Sequence, residues 1–263
     1  MENLRRTEMS KVEIIAIDSS NVCDHGYCGY KSLKQEGYRR KTEWLKKRFA
    51  EGMRLKVLHA SDEGDVGFIE YIPGEYTWRP IEARGYLAIH CIMIHRKKYK
   101  EAGYGSRLLE ECLRDAKKTR AKGVAAVTSK GTWMAGSGLF VKHGFESVDS
   151  GPPSFELMAK KMKKGPLPRF RGGWEERARS YGKGLVIIRS DQCPCTAKFT
   201  GEILETAKTL GMNARVKELR TCKQAQSAPS PYGIFNIVYD GRLIADHPIS
   251  KTRFRNIIKQ VSR

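Results

Sequence analysis

HRKKYKEAGYGSRLLEECL, residues 95–113, carries a glycine pair, Gly103 and Gly105, between an apolar strand and an amphipathic helix. Upstream, Tyr86 to His95 reads as a buried strand. Downstream, Leu108, Leu109, Cys112, Leu113 and Ala116 fall on one stripe of a helix from Tyr104 to Ala121, with Gly123 as its stop. Glycine at such a junction lets consecutive N–H groups converge on phosphate oxygens, and the start of a helix adds a positive field. Lys97, Lys98, Lys100 and Arg107 supply further charge. A single G-x-G also occurs in ordinary turns, so its surroundings must decide its meaning.

Outward from this junction the pattern is mixed. Val12 to Ile17 reads as a strand, and Tyr38 to Glu51 as a helix with Trp44, Leu45 and Phe49 inward. Leu55 to Ala60 and Val66 to Ile72 form a hairpin around SDEGD. Beyond the central helix come a strand at Val124 to Thr128, a helical turn at Gly138 to Lys142 and a strand at Phe155 to Ala159. After residue 184 the order is strand (Leu185 to Arg189), helix (Pro194 to Leu210), strands (Ala214 to Leu219, Ile234 to Tyr239, Leu243 to Ala245) and helix (Thr252 to Val261), with Asp240 and Gly241 as a hairpin turn. That βαβ–ββα order is the thioredoxin type.

The chain's 263 residues are long enough for two units. Between them, residues 165–184 mix Pro, Gly and Lys/Arg without a clean period, as a linker would. The expected division is 1–164, a basic linker 165–184, and 185–263. Net charge is +20, and the stretch 160–184 is the densest in it, with 9 bases against 2 acids. Such a surplus attracts polyanions: nucleic acid, anionic membrane or a phosphorylated cofactor. Nucleic acid is the less favoured partner, because no regular stripe of basic and aromatic residues accompanies the charge. No uncharged apolar run approaches the roughly 18 residues that span a bilayer, and the first residues lack an apolar signal core. A cytoplasmic protein without a membrane partner is expected.

Lys100-Glu-Ala-Gly-Tyr-Gly105, following the strand IHCIMIH, resembles the acetyl-CoA-binding motif of the GNAT superfamily of N-acetyltransferases, Arg/Gln-x-x-Gly-x-Gly/Ala, with Lys100 at its first position. Leu139-Phe-Val-Lys-His-Gly-Phe145 is similar to the family's second cofactor segment, Leu-Tyr-x-Lys-x-Gly-Phe. Stretches such as GFIEYIPGEYTWR look like the YoaP-like branch, which joins an acetyltransferase domain to a small C-terminal domain. The resemblance, over about residues 10–160, implies an α/β (α+β) fold: a largely antiparallel GNAT-type sheet flanked by helices, plus a smaller thioredoxin-like domain. It implies acetyl-CoA as co-substrate and direct transfer of acetyl to a primary amine of a small molecule or peptide. The backbone of Met93, Ile94 and His95 would pair with the pantetheine arm. Lys100, Glu101, Ala102, Gly103, Tyr104, Gly105 and Ser106 would hold the pyrophosphate, with Phe140 and Lys142 in the second segment. A homodimer is common among relatives, although the residues themselves do not fix the oligomeric state.

Transfer to an amine of pKa about 10.4 needs a base, and an acid can assist by protonating the leaving thiolate. The family often uses the Tyr of its second segment as that acid; here Phe140 occupies the place and cannot donate. Tyr104, Tyr99 and Ser137 are alternative donors. For the base, Glu70 inside the apolar strand VGFIEYI is the first candidate, its other reading being a salt-bridged carboxylate on a half-exposed face. His90, Glu75 and Glu82 are further candidates.

Seven cysteines, an odd number, fit thiols or metal ligands better than a disulfide framework. Cys23 and Cys28 have no common zinc spacing, so no metal is assigned; they read first as plain loop or core cysteines, and otherwise as lining an acceptor pocket with Cys91. Cys193-Pro-Cys195 lies at a helix start, where the field favours thiolate. Pro229 and Pro231 lie roughly where a thioredoxin-like domain carries its cis proline. The rival to the transferase is therefore a thiol-disulfide or metal-handling protein using Cys193 and Cys195.

Overall fold

A central strand buried on both faces sets the architecture of the computed structural model, which describes residues 11–131 and 133–261. Thirteen strands and seven helices follow one another among the described residues. In the first unit these are β1 (Val12–Ile17), α1 (Glu36–Phe49), β2 (Arg54–Ala60), β3 (Gly64–Pro73), β4 (Ile81–Glu82), β5 (Tyr86–Ile94), α2 (Tyr104–Lys118), β6 (Gly123–Ser129), α3 (Gly138–Lys142), β7 (Glu146–Gly151) and β8 (Phe155–Lys161). Then come β9 (Arg169–Phe170), α4 (Trp174–Arg179), β10 (Leu185–Arg189), α5 (Cys195–Thr209), β11 (Ala214–Glu218), α6 (Cys222–Gln226), β12 (Phe235–Tyr239), β13 (Arg242–Ala245) and α7 (Lys251–Val261).

Seven strands form one sheet in the order β1-β2-β3-β5-β6-β8-β7, antiparallel at every pair except β5/β6. The fold class is mixed α/β, as the element pattern predicts. Side chains alternate between its faces, as strand geometry requires. Leu58, Ile69, Leu87, Val124 and Met158 pack with Leu108, Leu109 and Cys112 of α2 on one face. Val57, Phe68, Ala88, Ala125 and Leu157 face α1 on the other, in one apolar cluster that continues through Ile188, Ile203 and Phe235. The second sheet, β11-β10-β12-β13, has β10/β11 parallel and the other pairs antiparallel.

Several boundaries differ from the sequence expectation. Helix α2 ends at Lys118, through Thr119 and the left-handed Arg120, while Gly123 opens β6 instead of stopping the helix. An added Cβ at Gly123 would sit 2.2 Å from the Lys160 carbonyl oxygen, so glycine is there for the close approach of β8. The stretch 165–184 is not a solvated tether. Its β9 pairs with β4, Phe170 and Ala178 are buried, and Arg177 donates to the carbonyls of Gln226 (3.1 Å) and Ala228 (3.4 Å). The one cis peptide among the described residues is Pro152–Pro153; neither Pro229 nor Pro231 follows a cis bond.

The two units meet closely. Helix α1 packs on α5, and a Cβ at Gly37 would lie 2.0 Å from the Pro194 carbonyl oxygen, a distance only glycine permits. Gln226 donates to the carbonyls of Glu75 (3.1 Å) and Thr77 (3.0 Å), and the Trp133 ring meets Phe199 edge-on at 5.1 Å.

Candidate active site

A β-bulge builds the site. Glu70 of β3 faces Cys91 of β5, and Tyr71 faces Ile89, so His90 is an extra residue. It shifts the alternation of β5 and brings His90 and Cys91 onto the face that carries Glu70 and α1. Beyond the bulge β5 parts from β6: their pairing covers only Tyr86–Ile89 against Gly123–Ala126. Toward β6, the backbone of Ile92 to Ile94 therefore has no strand partner, which is how an extended ligand arm would find groups to bond.

The opening leads to a cavity of about 280 Å³ lined by both units, including Cys28, Lys41, Glu70, Arg79, His90, Cys91, Met93, Phe140, Gln192, Cys193, Cys195 and Tyr232. Glu70 is 1% exposed and is no half-exposed surface acid. Its carboxylate takes a hydrogen bond from Lys41 Nζ through Oε2 and faces His90 Nδ1 at 3.3 Å through Oε1. Burial pushes the Glu70 carboxyl up, but Lys41 and His90 more than offset this and hold it below the ordinary 4.5. Burial dominates at His90 and lowers its pKa below 6.5, which leaves the ring neutral. The backbone N–H of Trp78 donates to His90 Nε2 at 3.0 Å, which puts the ring proton on Nδ1, toward Glu70. Both ring nitrogens are thus engaged, and His90 positions Glu70 more readily than it takes a proton from a ligand.

Of the other candidates, Tyr104 does not reach this cavity. It opens α2, packs edge-on against Tyr99 at 5.6 Å and lies under the Arg107 guanidinium at 5.4 Å. Tyr99 is buried against it, and Ser137 is half-buried at the start of α3. Glu75 accepts from the Gly85 N–H at 3.0 Å and Glu82 pairs with Arg169 at 2.7 Å; they border a separate hollow with Arg171.

The glycine turn has the expected form. Gly103 is left-handed at φ 80° and precedes α2, no side chain caps the helix, and Lys100, Glu101, Ala102 and Gly103 are exposed with Gly105 and Ser106 half-exposed. The first-turn N–H groups therefore remain open to an anion. Lys98 is less free than the sequence suggests, being bound to Asp62 at 3.3 Å and Glu63 at 2.9 Å. Met93 is exposed at the mouth, whereas Ile94 and His95 are half-buried, His95 Nε2 lying 2.8 Å from the Asp65 carbonyl. Phe140 is buried in the cavity wall, and Lys142 is exposed at the end of α3.

The loop splits the first two cysteines: Cys23 is exposed, while Cys28 reaches the cavity as a free thiol hydrogen-bonded to that of Cys91. Hydrogen bonding to Cys91, and then burial, push the Cys28 thiol well up; the same bond lowers Cys91. Cys195, the first residue of α5, is lowered to about 7 by hydrogen bonding from Cys193 and, against the effect of burial, by Tyr30 and Lys198. His25 joins His59 and Asp65 instead, at 3.2 Å and 2.8 Å from Asp65 Oδ1; among the described residues this is the group whose ligand atoms lie close enough to share an ion. Asp65 Oδ2 accepts from the Gly26 N–H, so the trio also clamps the cysteine loop to the β2–β3 hairpin.

Comparison with known proteins follows the same division. The YoaP-like family model matches residues 214–256. The chain is 28% identical over 253 residues to the uncharacterized N-acetyltransferase YoaP of Bacillus subtilis (strain 168), a match covering 94% of this chain and 99% of the relative. Among solved structures, the PaiA N-acetyltransferase of Thermoplasma acidophilum, in complex with coenzyme A, is 17% identical over 58% of this chain and 99% of its own, with a TM-score of 0.42. The yncA protein of Salmonella typhimurium, solved with acetyl-CoA, is 13% identical over 60% and 98%, with a TM-score of 0.44. No helix among the described residues is long and apolar enough to cross a membrane.

Sequence reasoning missed Lys41, Arg79, Gln192 and Tyr232 in the wall. Only Lys41 had a signal, since it lies one turn from Tyr38 and Leu45 on the buried side of α1.

Proposed function

We propose that the protein is an acetyl-CoA-dependent N-acetyltransferase that moves acetyl directly to a primary amine in the Glu70 cavity. The observation that carries this reading is the parted edge of β5, whose Ile92 and Met93 line the cavity, followed in the chain by the uncapped N-terminus of α2. In that frame Lys100 to Ser106 hold the pyrophosphate, and the backbone of Met93 to His95 meets the pantetheine arm. Phe140 packs beside the thioester, and Lys142 adds charge near the cofactor. The end-to-end similarity to a protein named as an N-acetyltransferase supports the same assignment.

In the reaction the amine nitrogen attacks the thioester carbonyl, the C–N bond forms, the C–S bond breaks, and CoA leaves as thiolate. Glu70, ionised throughout the neutral range, is the proton acceptor of this reading, oriented by Lys41 and His90. The proton lost by the amine ends on the CoA thiol. The test follows free CoA released by the reduced protein from acetyl-CoA over a panel of primary amines. Acceptor-dependent release that stops in Glu70→Gln supports the reading; equal release in the variant would remove Glu70 from the chemistry.

A second reading has its own support. Cys195, with a pKa of about 7 at a helix start, faces the same cavity as Cys193 and Cys91. The order β10-α5-β11-α6-β12-β13-α7 of the second unit, with β10/β11 parallel and the other pairs antiparallel, fits a thioredoxin-like domain, for which a thiol-disulfide or metal-handling role is natural. Replacing Cys193 and Cys195 together by Ser separates the two: the transferase keeps acetyl-CoA binding, and a thiol-dependent protein loses its activity.

A further inference from the structure

The fixed charges of the cavity do not balance. Its wall contains one carboxylate, Glu70, already shared by Lys41 and His90. Arg79 lies in the same wall, is 4% exposed, and carries a charge that proteins do not titrate away. It donates to the carbonyl of Tyr232 and, at 2.9 Å, to that of His90, and its guanidinium lies 5.1 Å from the Tyr232 ring. These contacts supply dipoles and a π face but no counter-charge. Its Nε–H has no partner, and among the described residues no carboxylate is within ion-pair reach. A buried guanidinium left this way is costly unless a ligand completes it.

Across the junction, Gln192 of the second unit is also 4% exposed and lines the cavity, and its Oε1 accepts no hydrogen bond. One enclosed space therefore offers a charged donor and a neutral acceptor, both unsatisfied. Apolar groups such as Ile89, Ile234 and Val127 make up much of the remaining wall. The complement of that set is a compact molecule with an anion at one end and an N–H donor at the other.

Resting on the acetyltransferase reading above, we propose that the acceptor is a small amine that also bears a carboxylate, an amino acid in chemical class. Its carboxylate pairs with Arg79, and its amine donates to Gln192 while facing the thioester. A peptide amine or an uncharged alkylamine leaves Arg79 without a counter-ion. The arrangement also gives the two units a shared purpose, since Arg79 comes from the first and Gln192 from the second.

The test measures CoA release from acetyl-CoA by the full-length protein with L-amino acids, their carboxamides and the matching amines that lack the carboxyl group, alongside calorimetric binding of acetyl-CoA. At least one amino acid is expected to exceed its carboxamide in kcat/KM by on the order of 100-fold or more, because a site built around a buried polar partner rejects the analogue that leaves it unpaired. This ratio is read in the unaltered protein, so it does not depend on a variant folding. Arg79→Lys, which keeps the charge, should retain a reduced preference, and Arg79→Gln should bring the pair near parity. Gln192→Leu should raise KM more than it lowers kcat. Equal turnover of acid, amide and amine would overturn the proposal and make Arg79 a group acting on the thioester alike for every acceptor. Binding of acetyl-CoA with turnover of amines but of no amino acid, or with no turnover at all, would also overturn it. Absence of acetyl-CoA binding would overturn the transferase reading, and this proposal with it.

Discussion

Glu70 shows how much one buried side chain can decide. Its carboxylate holds Lys41, itself 2% exposed, and removing it leaves an ammonium in the core without its ion-pair partner. Glu70→Gln is therefore expected to cost on the order of 3 to 5 kcal/mol of stability at neutral pH, measured by denaturant unfolding. The same variant should lose about 100-fold or more in kcat, the usual range for a removed general base. The stability loss should depend on pH with a definite sign. Because the folded-state pKa lies below the ordinary 4.5, Glu70 contributes its full stability above that value and loses it as pH falls through the folded value. The gap between the two proteins should accordingly narrow on acidification below about pH 4.5, and a gap that widens would contradict the assigned ion pair. The sequence made Glu70 conspicuous, since an acid amid VGFIEYI has to be explained. Lys41 was harder to see: its spacing from Tyr38 and Leu45 puts it on the buried side of α1, but nothing in the sequence pairs it with Glu70.

At the scale of elements, the strand and helix pattern was largely legible, because β5, α2 and the two hairpins follow simple periods. The bulge was not. An inserted residue at His90 changes which side chains share a face, and a period-two reading of IHCIMIH places His90 and Cys91 on opposite sides. The strap at 165–184 escaped for another reason: β9 and α4 are too short to carry a period, and only tertiary packing on β4 and Gln226 fixes them. Helix placement gives a prediction of its own. Gly37→Ala pushes a methyl toward the Pro194 carbonyl and forces α1 and α5 apart. A loss of about 1 to 3 kcal/mol is expected, the usual cost of overpacking, visible as a lowered thermal midpoint. An unchanged midpoint would mean that the two helices do not meet as closely as described.

The whole molecule is organised around the junction. One apolar cluster runs from Val57 and Phe68 through α1 into Ile188 and Phe235, and the cavity draws its wall from both sides of that seam. The division into 1–164 and 185–263 described the order of elements but not this shared core. Unfolding should therefore be one transition. Circular dichroism, which samples both units, and tryptophan fluorescence, whose four reporters all precede residue 185, should give coincident denaturation curves. Two separated transitions would mean that the units are independent and that the cavity between them is incidental. The surplus of +20 belongs to this scale too, since it favours a polyanionic cofactor wherever an open helix start awaits one.

Whether the glycine turn takes acetyl-CoA is read by calorimetric titration of the reduced protein, beside Gly103→Glu. An added Cβ meets nothing within 4 Å, but the left-handed φ of 80° strains any side chain there, so the variant's thermal midpoint is read beside its binding; the substitution places a carboxylate in the turn proposed to hold the pyrophosphate. Micromolar binding is expected of the unaltered protein, with a loss of at least about tenfold in the variant, equivalent to roughly 1.4 kcal/mol. Equal binding by both proteins, or by neither, would contradict it.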